Sequence, residues 1–317
     1  MFALLTAGCD GLQSSLDPAG LEAARIARLY WWMASGAIVI WLGVVVLGLY
    51  YGRPHAASPS RRRDRLLIVG AGVVLPIVVL TGLLTYGLAM LPPLVARAPG
   101  GSLEVQVVGE QWWWRVRYPT AQGTIELANE IRLPVGEPVQ FVLASDNVIH
   151  SFWIPALGGK MDMIPGRTTY LTVRPTRTGV FAGACAEYCG TSHAYMRFFV
   201  QVMERAAFDE WLQQQALDAQ APDTAQAERG RQVLAASGCG ACHAVRGTAA
   251  RGVIAPDLTH VGSRLSLGAG MLPNDEQEIT RWVSSTERIK PGVHMPAFRM
   301  LPSDDLQALG AYLRGLR

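Results

Sequence analysis

Two long stretches without a charged residue constrain this chain more than any other feature of its sequence. They run from Leu29 to Tyr51 and from Leu66 to Ala96, and each exceeds the roughly 20 residues with which a helix crosses a bilayer. Only 17% of the residues are charged, whereas soluble domains average about 25%. Two buried helices of a soluble core are the alternative, but two such runs in succession favour a membrane. We therefore expect residues 25–96 to form a transmembrane helical hairpin with the lipid bilayer as a partner.

The charges and aromatic residues around these stretches predict the orientation of the hairpin. The first stretch is flanked by aromatic residues typical of a membrane interface, namely Tyr30, Trp31, Trp32, Tyr50 and Tyr51. The intervening loop contains Arg53, Arg61, Arg62, Arg63 and Arg65. Because arginine concentrates on the cytoplasmic side, this loop is expected to be cytoplasmic and both termini extracytoplasmic. A formal net charge of only +3 argues against a nucleic-acid partner.

Residues 1–24 form an N-terminal segment that contains the first of five cysteines. The stretch Leu5-Thr6-Ala7-Gly8-Cys9 resembles a bacterial lipoprotein processing site, at which Cys9 would be lipidated. The residues before it are few and lack the positive charge of a signal peptide. An unmodified cysteine near the membrane surface is the alternative.

Residues 97–205 have the pattern of an all-β domain. Short runs rich in β-branched and aromatic residues alternate with Gly, Pro, Asn and Asp, which is typical of a sandwich or barrel. The predicted strands are Leu103–Val108, Trp112–Tyr118, Gln140–Ala144, Thr169–Val173 and Arg197–Val202. Residues 206–227 read as a short helix followed by a linker rich in Ala, Gln and Pro.

Residues 228–317 have the pattern of a second, smaller and all-helical domain. Helices are predicted at Arg229–Ser237, Asp275–Ser284 and Ser303–Arg314. Ser303 is expected to be the N-cap of the last helix, because two acidic residues follow it in the first turn.

The sequence Cys239-Gly240-Ala241-Cys242-His243 is a c-type haem attachment motif. In such a motif the two thiols bind the haem vinyl groups, and the histidine is the proximal iron ligand. A thioredoxin-like redox pair is the main alternative, but it does not require the histidine and no βαβ pattern surrounds this one. The motif therefore assigns one covalent haem c to Cys239, Cys242 and His243.

The second axial ligand of this haem must come from another part of the chain. The candidates are Met271, Met295, Met300, His260 and His294. Methionine raises the potential of the iron and favours electron transfer. The domain resembles the class I cytochromes c, in which the ligand is a Met before the last helix and is often followed by Pro. That resemblance selects Met295, with His294 as the alternative, and Arg264 could reach a haem propionate.

A second cluster of metal-binding residues lies in the β-domain. Residues 185–196 contain Cys185, Cys189, His193 and Met196, and His150 lies upstream at the end of a predicted strand. Thiolates and thioethers select soft metals, and imidazole suits copper. A mononuclear blue-copper site needs one cysteine, whereas two thiolates can bridge two copper ions, each bound by one histidine. A structural zinc site is the alternative, but it would not use Met196.

Together these features resemble subunit II of haem–copper cytochrome c oxidase, in the variety with a fused cytochrome c. The resemblance covers the hairpin, the β-domain and the haem domain, and it implies that the β-domain is a cupredoxin barrel. It implies a binuclear copper centre, CuA, held by His150, Cys185, the backbone oxygen of Glu187, Cys189, His193 and Met196. The Glu187 side chain would bind magnesium at the junction with subunit I, with Asp162 nearby. Trp112 would be exposed near the copper and admit electrons to it.

The resemblance also implies the function. The chain would be subunit II of a proton-pumping terminal oxidase in the bacterial inner membrane, with its C-terminal domains on the periplasmic side. Electrons from cytochrome c or another periplasmic donor would reach the haem, then CuA, and then the haem–copper centre of subunit I, where oxygen becomes water. Subunit III is a further expected partner. A quinol oxidase subunit would lack the copper ligands, and a stand-alone electron carrier would not need the hairpin.

Overall fold

The computed structural model describes residues 10–53 and 60–317, so the predicted lipidation at Cys9 lies outside the described residues. The chain divides into two compact units. One is the helical region Ala24–Ala96, and the other combines residues up to Ala23 with Arg97–Arg317.

The first unit contains the two helices predicted from the uncharged stretches. Helix α1 spans Leu21–Tyr51, and a continuous helical segment of 35 residues spans Arg61–Val95. The second segment consists of α2 (Arg61–Arg65), a π-helical part (Leu66–Val74) and α3 (Leu75–Val95). The large apolar side chains of both helices are exposed. Both helices are long and apolar enough to cross a membrane, as expected of a hairpin whose apolar surface faces lipid.

The β-domain has ten strands in two five-stranded sheets. In chain order they are β1 (Leu103–Glu110), β2 (Trp113–Thr120), β3 (Gly123–Ala128), β4 (Glu130–Pro134), β5 (Val139–Ser145), β6 (His150–Trp153), β7 (Met161–Met163), β8 (Thr169–Val173), β9 (Gly179–Cys185) and β10 (Arg197–Met203). The sheet orders are β3-β2-β1-β5-β8 and β4-β10-β9-β6-β7. The pairs β1–β5 and β4–β10 are parallel, and the others are antiparallel. All five predicted runs are strands, and the runs that were missed are short or rich in small residues.

An aromatic cluster joins the two sheets. Trp114 of β2 packs against Phe198 of β10 at a centroid distance of 5.3 Å, and Phe152 of β6 stacks on Phe198 at 4.8 Å. All three side chains are fully buried. Gly183 of β9 leaves room for this cluster, since a Cβ there would lie 2.1 Å from Cζ of Phe198. Buried aromatic area of this kind is the main source of stability in such a core.

Part of the predicted linker belongs to the β-domain. Helix α4 spans Arg205–Gln215, and it buries Phe208 and Trp211. The Trp211 ring lies 5.5 Å from that of Tyr118 in β2. The short helix predicted at the start of residues 206–227 is thus present, and it packs on the barrel because its apolar side chains meet an aromatic surface.

The residues before α1 also pair with the β-domain. The backbone N–H of Ala19 donates to Ala156 O at 2.7 Å, and that of Thr176 donates to Ala19 O at 2.7 Å. Gly20 forms a bridge with Pro175. The N-terminal segment therefore adds backbone hydrogen bonds to the edge of the barrel.

The C-terminal domain is helical, as predicted. Its helices are α5 (Ala225–Ala236), α6 (Glu276–Ile289) and α7 (Ser303–Gly315), with short 3-10 turns at Cys239–Ala241 and Val261–Ser263. Helices α5 and α7 meet at Gly230, where a Cβ would lie 2.0 Å from Ala308 O. The N-cap prediction for Ser303 is wrong by one residue. Pro302 occupies the N-cap position, because its extended backbone lets the helix begin at Ser303.

We predict that Gly230→Ala destabilises the C-terminal domain by about 1–3 kcal/mol, because the added methyl group overlaps the α7 backbone. Amide hydrogen exchange in α5 and α7 of the full-length protein would measure the loss. Gly315→Ala is the matched control, since a Cβ at Gly315 meets nothing within 4 Å. Equal exchange in the two variants would contradict the described helix contact.

Candidate functional site

The residues predicted to bind copper lie mostly on one loop between two neighbouring strands. β9 ends at Cys185 and β10 begins at Arg197, and these strands pair antiparallel. The Cys185 N–H donates to Met196 O at 3.0 Å and closes the loop at its base. Within the loop the His193 N–H donates to Gly190 O at 3.0 Å. The strand pairing thus brings together Cys185 and Met196, the first and last predicted copper ligands of the loop.

The two cysteine sulfurs form the centre of the site. Cys185 Sγ and Cys189 Sγ are 3.8 Å apart. His150 Nδ1 lies 3.8 Å from Cys185 Sγ, and His193 Nδ1 lies 3.5 Å from Cys189 Sγ. A disulfide needs about 2.05 Å between its sulfurs. The site therefore holds two free thiols, each with its own imidazole.

Two weaker donors complete the set. The backbone oxygen of Glu187 lies 3.2 Å from Cys185 Sγ, and Met196 Sδ lies 3.8 Å from Cys189 Sγ. Both cysteines and Met196 are buried. A structural zinc ion takes four ligands and would leave these two donors unused. Sulfur and imidazole donors suit copper, so the residues fit a copper site better than a structural zinc site.

Hydrogen bonding changes the acidity of the two thiols in opposite directions. The bond shared with Cys189 is the main reason why the pKa of Cys185 is lowered. The same bond, together with burial, raises the pKa of Cys189. Because the thiolate is the form that binds metal, the lowered pKa of Cys185 favours its metal-binding form.

His150 approaches the cysteines because two other residues make room for it and orient it. Gly109 of β1 lies against the ring, since a Cβ there would be 2.8 Å from His150 Cδ2. His150 Nε2 is 3.1 Å from Asn147 Oδ1, which directs Nδ1 towards Cys185. His150 begins β6, so its predicted place at the end of a strand is wrong. The chain turns after β5, where Asn147 Oδ1 accepts from the Val148 N–H.

Asp162 and Glu187, the acidic residues expected near magnesium, both lie close to the ammonium of Lys160. Lys160 Nζ lies 3.3 Å from Asp162 Oδ1 and 3.8 Å from Glu187 Oε2. Ser151 Oγ donates to Asp162 Oδ1 at 2.7 Å, and this bond is the main reason why the pKa of Asp162 is lowered. Asp162 therefore lies near Glu187, as expected, and Lys160 bridges the two carboxylates.

Trp112 is adjacent to the proposed copper ligands but is not exposed. Its Nε1–H donates to Cys189 O at 3.0 Å, and a Cβ on Gly190 would lie 3.1 Å from its Cζ2. Only 8% of the side chain is exposed, whereas the resemblance implied an exposed residue. The C-terminal domain covers it, since a Cβ on Gly292 would lie 3.0 Å from both Cη2 and Cζ3 of the indole.

The β-domain and the helical domain are joined by several further polar contacts. Ser192 Oγ donates to Pro291 O at 2.5 Å, and the Leu265 N–H donates to Glu130 Oε2 at 2.6 Å. Two longer contacts are Arg115 Nη2 to Ile254 O at 3.3 Å and Arg197 N to Ala269 O at 3.3 Å. The two domains thus meet at the loop that precedes Met295 and at the loop that follows the haem motif.

The haem motif forms a tight turn directly after α5. The His243 N–H donates to Cys239 O at 3.0 Å. His243 Nδ1 is 2.7 Å from Pro256 O, which leaves Nε2 for a ligand, and burial lowers the pKa of the imidazole. Gly252 packs on the motif, since a Cβ there would lie 2.3 Å from the Cys242 carbonyl carbon. The two cysteines of the motif are not joined by a disulfide.

The surroundings of the motif fit a large apolar group with acidic substituents. Val253 and Ile254 are 76% and 70% exposed, which is unusual for apolar residues that border a core. Arg264 Nε is buried and without a partner, and burial lowers the pKa of this side chain. A covalent haem would cover such apolar residues, and its propionates would suit a buried guanidinium.

The structure separates the candidates for the second axial position. Met295 packs against the helical core, and its carbonyl accepts from Thr286 Oγ1 at 3.0 Å. Met271 packs against the same core and is partly buried like Met295, whereas His294 and Met300 are exposed. His260 Nε2 is 3.0 Å from Leu217 O, so this imidazole bonds to the backbone. Met271 and Met295 both remain, and the resemblance to the class I cytochromes c keeps Met295 as the predicted ligand.

The comparisons with known proteins agree with this arrangement. A family described as cytochrome c oxidase subunit II, periplasmic domain, matches residues 119–203, and one described as cytochrome c matches residues 227–317. Cytochrome c oxidase subunit 2 of Alkalihalophilus pseudofirmus is 32% identical over 327 residues, which cover 99% of this chain and 94% of the relative. The chain belongs to the cytochrome c oxidase subunit 2 family. The expected family, its fused cytochrome c domain and the three-part fold are thereby confirmed.

Other similar proteins carry the same name. Cytochrome c oxidase subunit 2 of Bacillus subtilis is 33% identical and covers 80% of this chain and 71% of its own. The solved periplasmic domain of subunit II of the Bradyrhizobium japonicum cytochrome oxidase is 31% identical, with a TM-score of 0.36, and covers 38% of this chain and 96% of its own. The two matched families imply copper and haem c, and the apolar helices imply a membrane anchor for a periplasmic domain.

We predict that Cys189→Ser reduces copper binding by the full-length chain from two ions to at most one, because the serine oxygen cannot replace a bridging thiolate. Metal analysis by mass spectrometry would measure the ratio. Ala186→Ser is the matched control, because it adds a hydroxyl to the same loop at a residue that supplies none of the six donors. Two copper ions retained in Cys189→Ser would refute the shared-thiolate arrangement.

Proposed function

We propose that this chain is subunit II of a proton-pumping respiratory oxidase and carries electrons from its own haem c, through CuA, to the haem–copper centre of subunit I. One observation carries the proposal. The loop before Met295 packs on Trp112, and the Trp112 indole donates to the backbone of Cys189. The loop that leads to the proposed iron ligand and the two-thiol copper motif therefore lie on either side of one tryptophan.

The residues of each site have distinct roles in this proposal. Cys185 and Cys189 would hold both copper ions, His150 and His193 would hold one ion each, and two weak donors would complete the set. These weak donors are the Glu187 carbonyl and Met196. Bound copper and haem supply reversible one-electron chemistry, and the buried site excludes water from the ligands. Asn147 and Gly109 keep the His150 ring in position.

The haem domain requires four residues of its own. Cys239 and Cys242 would hold the haem covalently, and His243 and Met295 would bind its iron. The hydrogen bond between His243 and Pro256 O orients the imidazole. Arg264 offers its unpartnered Nε–H to a propionate, while its Nη2 donates to Asp257 O.

Trp112 links the two sites in the proposal. It contacts the backbone of Gly292 on one side and Cys189 O on the other. Because the helical domain covers this residue, a soluble donor is expected to deliver electrons to the haem domain rather than to the copper site. That donor would be cytochrome c or another periplasmic one-electron carrier.

The membrane topology follows from the N-terminal segment. Residues up to Ala23 belong to the same compact unit as the barrel, so the segment before α1 lies on the same side of the membrane as the copper domain. This supports two membrane crossings and an arginine-rich cytoplasmic loop. We place the protein in a bacterial inner membrane with subunit I and subunit III as partners. Glu187 would bind magnesium at the junction with subunit I, with its carboxylate released from Lys160.

Low-temperature electron paramagnetic resonance on the purified oxidase tests the proposal. The expected spectrum contains the hyperfine pattern of one electron shared by two copper ions and a low-spin haem c signal. A single-copper pattern, or zinc in its place, would rule out CuA and leave a membrane-anchored cytochrome.

Replacing the predicted iron ligand gives a second test. Met295→His is expected to lower the haem midpoint potential by on the order of 0.1 V, because methionine ligation raises it, and axial ligands tune haem over about 0.8 V. Met300→His is the matched control, since Met300 is exposed. A shift in the control but not in Met295→His would assign the iron to the other methionine.

A further inference from the structure

Lys290 is a buried cation between the two extracytoplasmic domains. It is one of only two lysines in the chain, and the other, Lys160, has an exposed side chain. Lys290 directly follows α6 and is 2% exposed. Its ammonium donates to Trp112 O at 2.5 Å and to Gly268 O at 3.2 Å. One acceptor belongs to the β-domain and the other to the helical domain.

The environment of Lys290 does not explain it as a stabilising residue. Both acceptors are neutral carbonyls, and the one titratable group that favours the charged form of its amine is Cys189. Burial lowers the pKa of Lys290 to about 7. Replacing a buried charge by an apolar residue of similar size is often neutral or stabilising. The lysine therefore calls for a role that an apolar side chain could not fill.

The position of Lys290 suggests that role. The next residue, Pro291, accepts a hydrogen bond from Ser192 in the copper-ligand loop, and Gly292 contacts the Trp112 ring. Met295 lies five residues after Lys290 in the sequence. The ammonium thus fixes the backbone of Trp112 to the start of the loop that carries the proposed iron ligand.

We propose that Lys290 is a positioning residue that fixes the position of the haem domain relative to Trp112 and the copper site. The inference rests on the proposed function, because the relative position of the two domains matters only if electrons cross this contact. The step is a one-electron exchange in which the haem iron is oxidised and the copper pair is reduced, with no bond formed or broken. The rate of this exchange falls steeply with the distance between the haem and copper sites, so a small displacement of the haem domain has a large effect on the rate.

The test compares two variants in the purified oxidase. Lys290→Met removes the ammonium and keeps a long side chain. Arg288→Met is the matched control, because it removes an exposed cation two residues away. Electron exchange between the haem and copper sites, started by rapid photoreduction of the haem, should slow roughly tenfold or more in Lys290→Met. It should be unchanged in Arg288→Met.

Redox titration of the haem and copper sites distinguishes a change in their relative position from a change in the driving force for electron transfer. Slower exchange with unchanged midpoint potentials supports the positioning role. The positioning role is overturned if electron exchange does not slow in Lys290→Met. It is also overturned if a change in the midpoint potentials fully accounts for the slowing. The absence of any exchange in the wild-type oxidase would overturn the proposed function, and the inference with it.

Chemical labelling gives an answer that does not depend on how the variant folds. In the wild-type oxidase an amine-reactive acyl ester should modify Lys290 at least about tenfold more slowly than in the denatured chain. Mass spectrometry distinguishes Lys290 from Lys160, since these are the only two lysines in the chain. Reaction of Lys290 at the rate of a free amine would show that the contact with Trp112 does not persist, and would overturn the proposal.

Discussion

The close approach of two cysteine sulfurs is the constraint on which the candidate site depends. Cys185 Sγ and Cys189 Sγ lie 3.8 Å apart, on a loop whose ends are joined by the bond from Cys185 N to Met196 O. That loop exists because β9 and β10 pair antiparallel, and the aromatic cluster beneath them keeps the two sheets together. The barrel core therefore sets the geometry of the thiols, and the thiols set which metals fit.

The contact between the two extracytoplasmic domains adds a second level of organisation. Trp112 is enclosed between Cys189 O and the backbone of Gly292. Two hydrogen bonds join the loop that begins at Lys290 to the β-domain, from Lys290 Nζ to Trp112 O and from Ser192 Oγ to Pro291 O. In a fused chain the donor domain is always close by, and its effective concentration is typically millimolar. A covered tryptophan is consistent with a protein whose electron donor is its own C-terminal domain.

Sequence patterns were most informative where the physical cause is local. The uncharged stretches predicted both long helices, because hydrocarbon excludes charge over a fixed thickness. The five predicted strands were found, but β9 was missed because Gly179–Cys185 is rich in small residues, of which Gly183 makes room for Phe198. Ser303 was misplaced by one residue as an N-cap, because the backbone of Pro302 decides where that helix begins. The predicted linker contained α4, whose apolar side chains have a partner only in the folded barrel.

The sequence by itself determined which chemistry this protein can host. The ligands from Cys185 to Met196, and those from Cys239 to His243, lie close together along the chain, so their spacing alone indicates copper and haem c. The tertiary structure decided what lies beside these ligands. Gly109 makes room for His150, and Lys290 meets Trp112 across 178 residues of sequence. No local pattern encodes such contacts, because they arise only when strands and domains pack against each other.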